Sequence, residues 1–261
     1  MRIEFLTQDD PLYVLPFFDE FLRTYASEFE IVHVATSPTM GSRSRRQMTW
    51  ELTQLYGLFG LARLLSKLAF ARVSGRIPKK ANASRYSTLF QLCGAYGIPC
   101  QQIGNPNASE FVESIRGRAP DVLVSVACPY ILKEPILKIA CKGAINIHHA
   151  PLPRYKGMMP TFWQMFHGEK VVGLTIHYMA ARIDEGEALL QDEQAIERGE
   201  SLDHLIQRSK RRGAHCMAKV LRQICEGSVK PIKLDHSKGS YFTFPTAGEI
   251  AEFRRRGFRA I

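Results

Sequence analysis

The chain has 261 residues, 45% hydrophobic and 23% charged, with a formal net charge of +10. That length supports one substantial domain core with an appendage; no apolar run is long enough to span a bilayer, and Met1-Arg2-Ile3-Glu4 opens no signal-peptide pattern. The positive balance fits either an anionic partner, such as nucleic acid, acidic lipid or a charged small molecule, or a plain solvated basic surface. Its clusters, Arg43-Ser44-Arg45-Arg46, Lys210-Arg211-Arg212 and Arg254-Arg255-Arg256, carry no interleaved aromatics, so nucleic acid is not the expected partner. The six cysteines form no CxxC pair, and Cys128 and Cys141 lie in segments that read as core, so reduced buried thiols are expected.

Arg2–Leu6 reads as a strand, 12–25 as a helix and Glu30–Thr36 as a second strand, the opening of a doubly wound sheet. The turn Thr7–Pro11 contains no glycine, which removes the dinucleotide fingerprint and argues against a nicotinamide enzyme. Ser37–Gln47 is polar and basic and reads as a loop. Residues 48–77 form a helical insertion. Met48, Leu52, Leu55, Phe59, Ala62, Leu65 and Ala69 recur at helical spacing, Gly57 and Gly60 threaten a break, and Arg63, Lys67, Arg72 and Arg76 supply cations. This stripe can pack a core, join two copies in a homo-oligomer, or lie through 48–76 on a membrane surface.

Helices are expected over Ser84–Tyr96, Ser109–Arg116, Ile131–Ile139, Met159–His167 and Ser201–Cys225. Strands are expected over Ile98–Ile103, Asp121–Ala127, Gly143–His148, Val171–Met179 and Glu187–Glu193. Asp121–Ala127 is apolar throughout, as in a parallel strand buried on both faces. The fold class is therefore α/β, a doubly wound and mostly parallel sheet, with one domain over 1–237 and a C-terminal tail over 238–261.

The densest chemistry lies in Ile145-Asn146-Ile147-His148-His149-Ala150-Pro151-Leu152-Pro153 and in Ile183-Asp184-Glu185-Gly186. Residues two apart on a strand share a face, so Asn146 and His148 point the same way. An amide donor, an imidazole and a carboxylate can serve acyl transfer as oxyanion donor, base and orienting group. Each of the three taken singly also fits a structural role. His148 and His149 point to opposite faces, which disfavours a shared metal ion.

Asn146-Ile147-His148, the Pro151-Leu152-Pro153 loop, the strand Gly173-Leu174-Thr175-Ile176-His177 and Ile183-Asp184-Glu185-Gly186 together resemble the formyltransferase family that uses formyl-tetrahydrofolate. The resemblance covers about Asp121 to Asp192. It implies Asn146, His148 and Asp184 as catalytic residues and 10-formyltetrahydrofolate as formyl donor. It further implies a pteridine held by backbone groups around Tyr130, Ile131 and Leu132 and around Ala180, Ala181, Arg182 and Ile183.

The acceptor is expected to be a small amine, above all an amino sugar on a nucleotide or lipid carrier. Arg154 and Lys156 could meet its phosphate or be ordinary surface charges. A tRNA acceptor is not expected, because only 238–261 remains for that enzyme's C-terminal domain. A glycinamide ribonucleotide acceptor is not expected, because Thr7–Pro11 lacks its glycine-rich phosphate loop. Two other readings stay open: a formyltetrahydrofolate hydrolase, and a non-catalytic basic or membrane-associated binding protein on the same fold. A cytoplasmic location is expected, at the inner face of the membrane if 48–76 docks there.

Overall fold

The computed structural model describes residues 1–38, 44–180 and 182–261, the side chain of Arg45 excepted. The elements run β1 (Arg2–Gln8), α1 (Leu15–Tyr25), β2 (Glu30–Ser37), α2 (Arg45–Ser74), α3 (Leu89–Ala95), β3 (Cys100–Gln102), α4 (Ser109–Arg118), β4 (Val122–Val126), α5 (Glu134–Leu137), β5 (Ala144–His148), β6 (Lys156–Gly157), α6 (Pro160–Phe166), β7 (Val171–Tyr178), β8 (Ala188–Ala195), α7 (Leu202–Glu226), β9 (Tyr241–Phe242) and α8 (Ala247–Arg255).

Seven strands form one sheet in the order β3-β2-β1-β4-β5-β7-β8. It is parallel from β3 to β5 and antiparallel at β7 and β8. Period-two alternation sorts the strand residues onto two faces. Ile3 and Phe5 of β1 meet Phe17, Phe18 and Phe21 of α1 and Met217, Val220 and Leu221 of α7. Leu6 and Leu123 face the other way, against Val112 and Ile115 of α4 and Ile136 of α5. Both faces are covered, which is why β4 is apolar along its whole length.

A second core beyond the sheet gathers Leu55 of α2, Tyr155, Phe162 and Trp163, Leu202 and Leu205, and Ile250 and Phe253 of α8. The last residues are thus packed. Thr246 and Glu249 close a capping box at the start of α8, and Phe242 of β9 stacks 4.6 Å from Trp163.

Four expectations need correction. The apolar stripe assigned to 48–69 does not run on one face. Gly57 adopts φ 69° and ψ 174°, breaks α2 and resets its phase. Beyond it the inward stripe is Leu61, Leu64, Leu68 and Ala71, while Phe59, Ala62, Leu65 and Ala69 face outward. The helix expected over Ile131–Ile139 is only the single turn α5. Asn107 accepts from the Lys133 N–H and donates to the Ile131 carbonyl, which fixes 131–133 as loop. The cysteines are all unpaired, but Cys141 is exposed and Cys128 only half-buried, since both sit past strand or helix ends rather than inside them. Part of the Ser37–Gln47 loop lies outside the described residues, and its end already belongs to α2.

Candidate active site

β5 delivers Asn146 and His148 at the carboxyl end of the central strands, where β7 runs antiparallel beside it with Asn146 opposite His177 and His148 opposite Thr175. Alternation places Gly173, Thr175 and His177 on one face of β7, and each has a separate task. A Cβ on Gly173 would stand 2.7 Å from Pro151, so glycine admits the loop after β5. Thr175 Oγ1 donates to the Ala150 carbonyl and accepts from Leu152 N–H, pinning that loop. His177 meets Asn146.

The hydrogen bonds assign the tautomers. His148 Nε2–H donates to the Tyr155 carbonyl at 2.8 Å, and His177 Nδ1–H donates to its neighbour's carbonyl, Tyr178, at 2.8 Å. The remaining nitrogens, His148 Nδ1 and His177 Nε2, therefore carry lone pairs. Asn146 Nδ2 donates to His177 Nε2 at 3.2 Å, leaving its second N–H for another acceptor. Both lone-pair nitrogens face one carboxylate, with Asp184 Oδ2 at 3.5 Å from His148 Nδ1 and Asp184 Oδ1 at 3.6 Å from His177 Nε2.

Asp184 itself sits in the left-handed region at φ 54°, an uncommon conformation for a residue with a Cβ. The turn around it is held by both residues of β6. Gly157 N–H donates to Asp184 Oδ2 at 3.2 Å, and Lys156 pairs with Glu185 at 3.1 Å. Burial alone would raise the Asp184 pKa, but the positive charge His148 carries once protonated, the facing His177 and the Gly157 amide outweigh it and hold it at about 2. Burial lowers the His148 pKa, against the opposing pull of Asp184 and the Tyr155 carbonyl. At neutral pH the pair is a carboxylate beside a neutral imidazole.

The expected catalytic set of Asn146, His148 and Asp184 is brought together. His177 joins it; the sequence shows it as the third residue of an alternating Gly, Thr, His strand, two positions beyond Thr175. Tyr130, Ile131 and Leu132 follow β4, whose Val126 pairs with Ile147, so they lie at the same end of the sheet. Leu132 is buried in the core and Ile131 is 59% exposed, with its carbonyl taken by Asn107. Ala180, Arg182 and Ile183 lie in the turn leading to Asp184, with Arg182 reaching Glu185; Ala181 lies outside the described residues. Arg154 pairs with Glu169 and Lys156 with Glu185, so neither cation waits unpaired for a phosphate.

A second polar cluster adjoins the first and was not foreseen. His149 points away from His148, toward α7, where its Nδ1 meets Ser209 Oγ at 2.8 Å while its buried Nε2 has no partner among the described residues. Next on α7, Lys210 is buried and its pKa falls to about 8 through desolvation, only partly offset by Asp10. Asp10, in turn, caps the backbone N–H groups of Leu12 and Tyr13.

A family profile described as formyl transferase matches residues 82–221, more than half of the chain. Over 151 residues the chain is 36% identical to the methionyl-tRNA formyltransferase of Pelobacter propionicus, a stretch that is 58% of this chain and 47% of that protein. The chain thus spans about half the length of the curated relatives it matches. Among solved structures it superposes on the phosphoribosylglycinamide formyltransferase of Anaplasma phagocytophilum with a TM-score of 0.61 at 16% identity, covering 93% of this chain and 97% of that one. It also superposes on an N-formyltransferase of Helicobacter canadensis, solved with folinic acid and dTDP-3-aminofucose, with a TM-score of 0.57 at 14% identity, covering 92% and 70%. At these identities the superpositions establish the fold, a mostly parallel sheet with helices on both faces.

Proposed function

The chain belongs to the formyl transferase family, and on that premise we propose that it moves a formyl group from 10-formyltetrahydrofolate to the amine of a small acceptor, an amino sugar on a nucleotide or lipid carrier. The observation that carries the reading is the convergence of His148 Nδ1 and His177 Nε2 on the Asp184 carboxylate, with Asn146 Nδ2 hydrogen-bonded to His177.

The chemistry follows from the proton inventory. The donor supplies an activated formyl group. Asn146 has one N–H beyond the one it gives His177, and this can meet the formyl oxygen as it gains negative charge. The amine lone pair forms the new C–N bond, and the amine proton passes to His148 Nδ1, the lone-pair nitrogen. The resulting imidazolium faces Asp184, already ionised, so lone pair against carboxylate becomes an ion pair. The bond to the folate nitrogen then breaks, and that nitrogen takes the proton back from His148.

In this reading the pteridine lies between the loop at Tyr130, Ile131 and Leu132 and the turn at Ala180, Arg182 and Ile183. The exposed Ile131 side chain supports that placement, since an apolar group at the mouth of a polar site suits a flat aromatic ring. The test is tetrahydrofolate release from 10-formyltetrahydrofolate, with and without a panel of nucleotide-linked amino sugars. Release that waits for one amine and disappears in His148→Ala is the expected result. Fast release without any amine makes water the acceptor and replaces transferase by hydrolase.

A further inference from the structure

After its break at Gly57, α2 is packed by one face and apolar on the opposite one. Leu61, Leu64, Leu68 and Ala71 turn inward. Leu58, Phe59, Leu65, Phe70 and Val73 turn outward, Leu58 at 77% and Phe59 at 95% exposure. At about 3.6 residues per turn this outward set covers an arc of roughly 140°. The arc is bordered by exposed Arg72 on one side and by exposed Arg63 and Lys67 on the other. An apolar centre with cationic margins is the pattern of a helix lying in the plane of a bilayer surface.

We propose that this limb of α2 is a docking surface for an anionic lipid membrane. Charge selects the occupant. Residues 46–80 contain seven cations (Arg46, Arg63, Lys67, Arg72, Arg76, Lys79 and Lys80) and a single carboxylate, Glu51, which is buried. A second copy of this chain would bring the same cations against their own kind with no exposed acid to meet them. An anionic headgroup layer meets the cations and receives the apolar arc between them. Among the described residues no helix is long and apolar enough to cross a membrane, so the contact is with the surface.

The placement has a consequence for the site. Tyr56, immediately before the break, shares a 2.5 Å hydrogen bond with Tyr13, which lies beyond the carboxyl end of β1. The docking limb therefore starts at the edge of the sheet end that carries Asn146 and His148. A lipid-linked acceptor would reach the site along this edge; that last step rests on the transferase reading, whereas vesicle binding does not.

The experiment is sedimentation of the full chain with phosphatidylcholine vesicles and with vesicles that also contain phosphatidylglycerol. Binding is expected only with phosphatidylglycerol, weakened by salt and reduced roughly tenfold or more in Arg63→Gln/Lys67→Gln. Phe59→Ser/Phe70→Ser, both exposed and so expected to keep the circular dichroism spectrum, is expected to abolish it. Absence of wild-type binding, or equal binding by the Phe59→Ser/Phe70→Ser chain, overturns the proposal. So does a concentration-dependent dimer that the same pair of substitutions breaks while vesicles bind neither protein. Loss of formyl transfer with intact vesicle binding would sink the enzymatic reading and leave this one standing.

Discussion

Gly186 passes so close to Tyr178 that a Cβ on it would stand 1.7 Å from the Tyr178 carbonyl oxygen. The turn that carries Asp184 can therefore close onto β7 only with glycine at this position. Gly186→Ala must push the turn outward and carry Asp184 away from His148 and His177. We expect the turnover number to fall by roughly a hundredfold, since displacements near 1 Å cost that much in oriented reactions. Steady-state kinetics check this, and the seven-stranded sheet should keep its circular dichroism spectrum. Unchanged turnover would mean that Asp184 is not needed where it stands.

Asn146→Ala removes the side-chain amide that the proposed mechanism directs at the formyl oxygen. The expected loss is about 10²–10³ in turnover number, with little change in the apparent affinity for the formyl donor. His177→Gln should be milder, because a glutamine carbonyl can still accept from Asn146 Nδ2. Equal losses in the two variants would move His177 from positioning Asn146 to direct contact with the reactants.

Asp184 also sets a pH dependence. Its negative charge supports protonation of His148, whose pKa burial depresses. Asp184→Asn should lower that pKa further, so the acid limb of the pH–rate profile moves to lower pH while the plateau falls about a hundredfold. A limb that moves upward would show that His148 is not the titrating base.

The same carboxyl contributes to stability. Its pKa in the fold is about 2 against an ordinary 3.8. A depressed acid stabilises above its unfolded value, and the contribution is lost as pH falls through the folded one. Asp184→Asn should thus cost about 2 kcal/mol in mildly acidic solution, where His148 carries its proton and Asp184 its charge. The difference from wild type should fade between pH ~4 and ~2 in urea titrations.

Phe242 stacks on Tyr155 at 5.6 Å and on Trp163 at 4.6 Å. Phe242→Ala should lower unfolding free energy by about 3 kcal/mol. It should also reduce turnover, because Tyr155 offers the carbonyl that orients His148. Denaturant unfolding and kinetics on the same preparation check both halves.

What could be read from residues alone was whatever follows a period. The pairing of Asn146 with His148 follows from strand alternation, and the two-faced burial of β4 from its unbroken apolar run. The phase of α2 could not be read, because one residue, Gly57, leaves the helical region and rotates everything after it. Nor could the length of α5, which is decided by the side chain of Asn107, two dozen positions away. The left-handed turn at Asp184 shows in the sequence only as a nearby glycine, and the role of that glycine emerges only once Tyr178 is placed above it.

Tyr155 N–H donates to Ser240 Oγ, and Lys156 N–H to the Ser240 carbonyl, across 85 residues of sequence in the first case. β6, which follows the Tyr155 carbonyl that holds His148, is completed only by β9. During synthesis, then, the ribosome delivers Asn146, His148 and Asp184 well before the strand that steadies the loop between them. A nascent chain ending before residue 240 holds all three of these residues and lacks the clasp, so the proposed activity should arrive late and abruptly as translation passes β9.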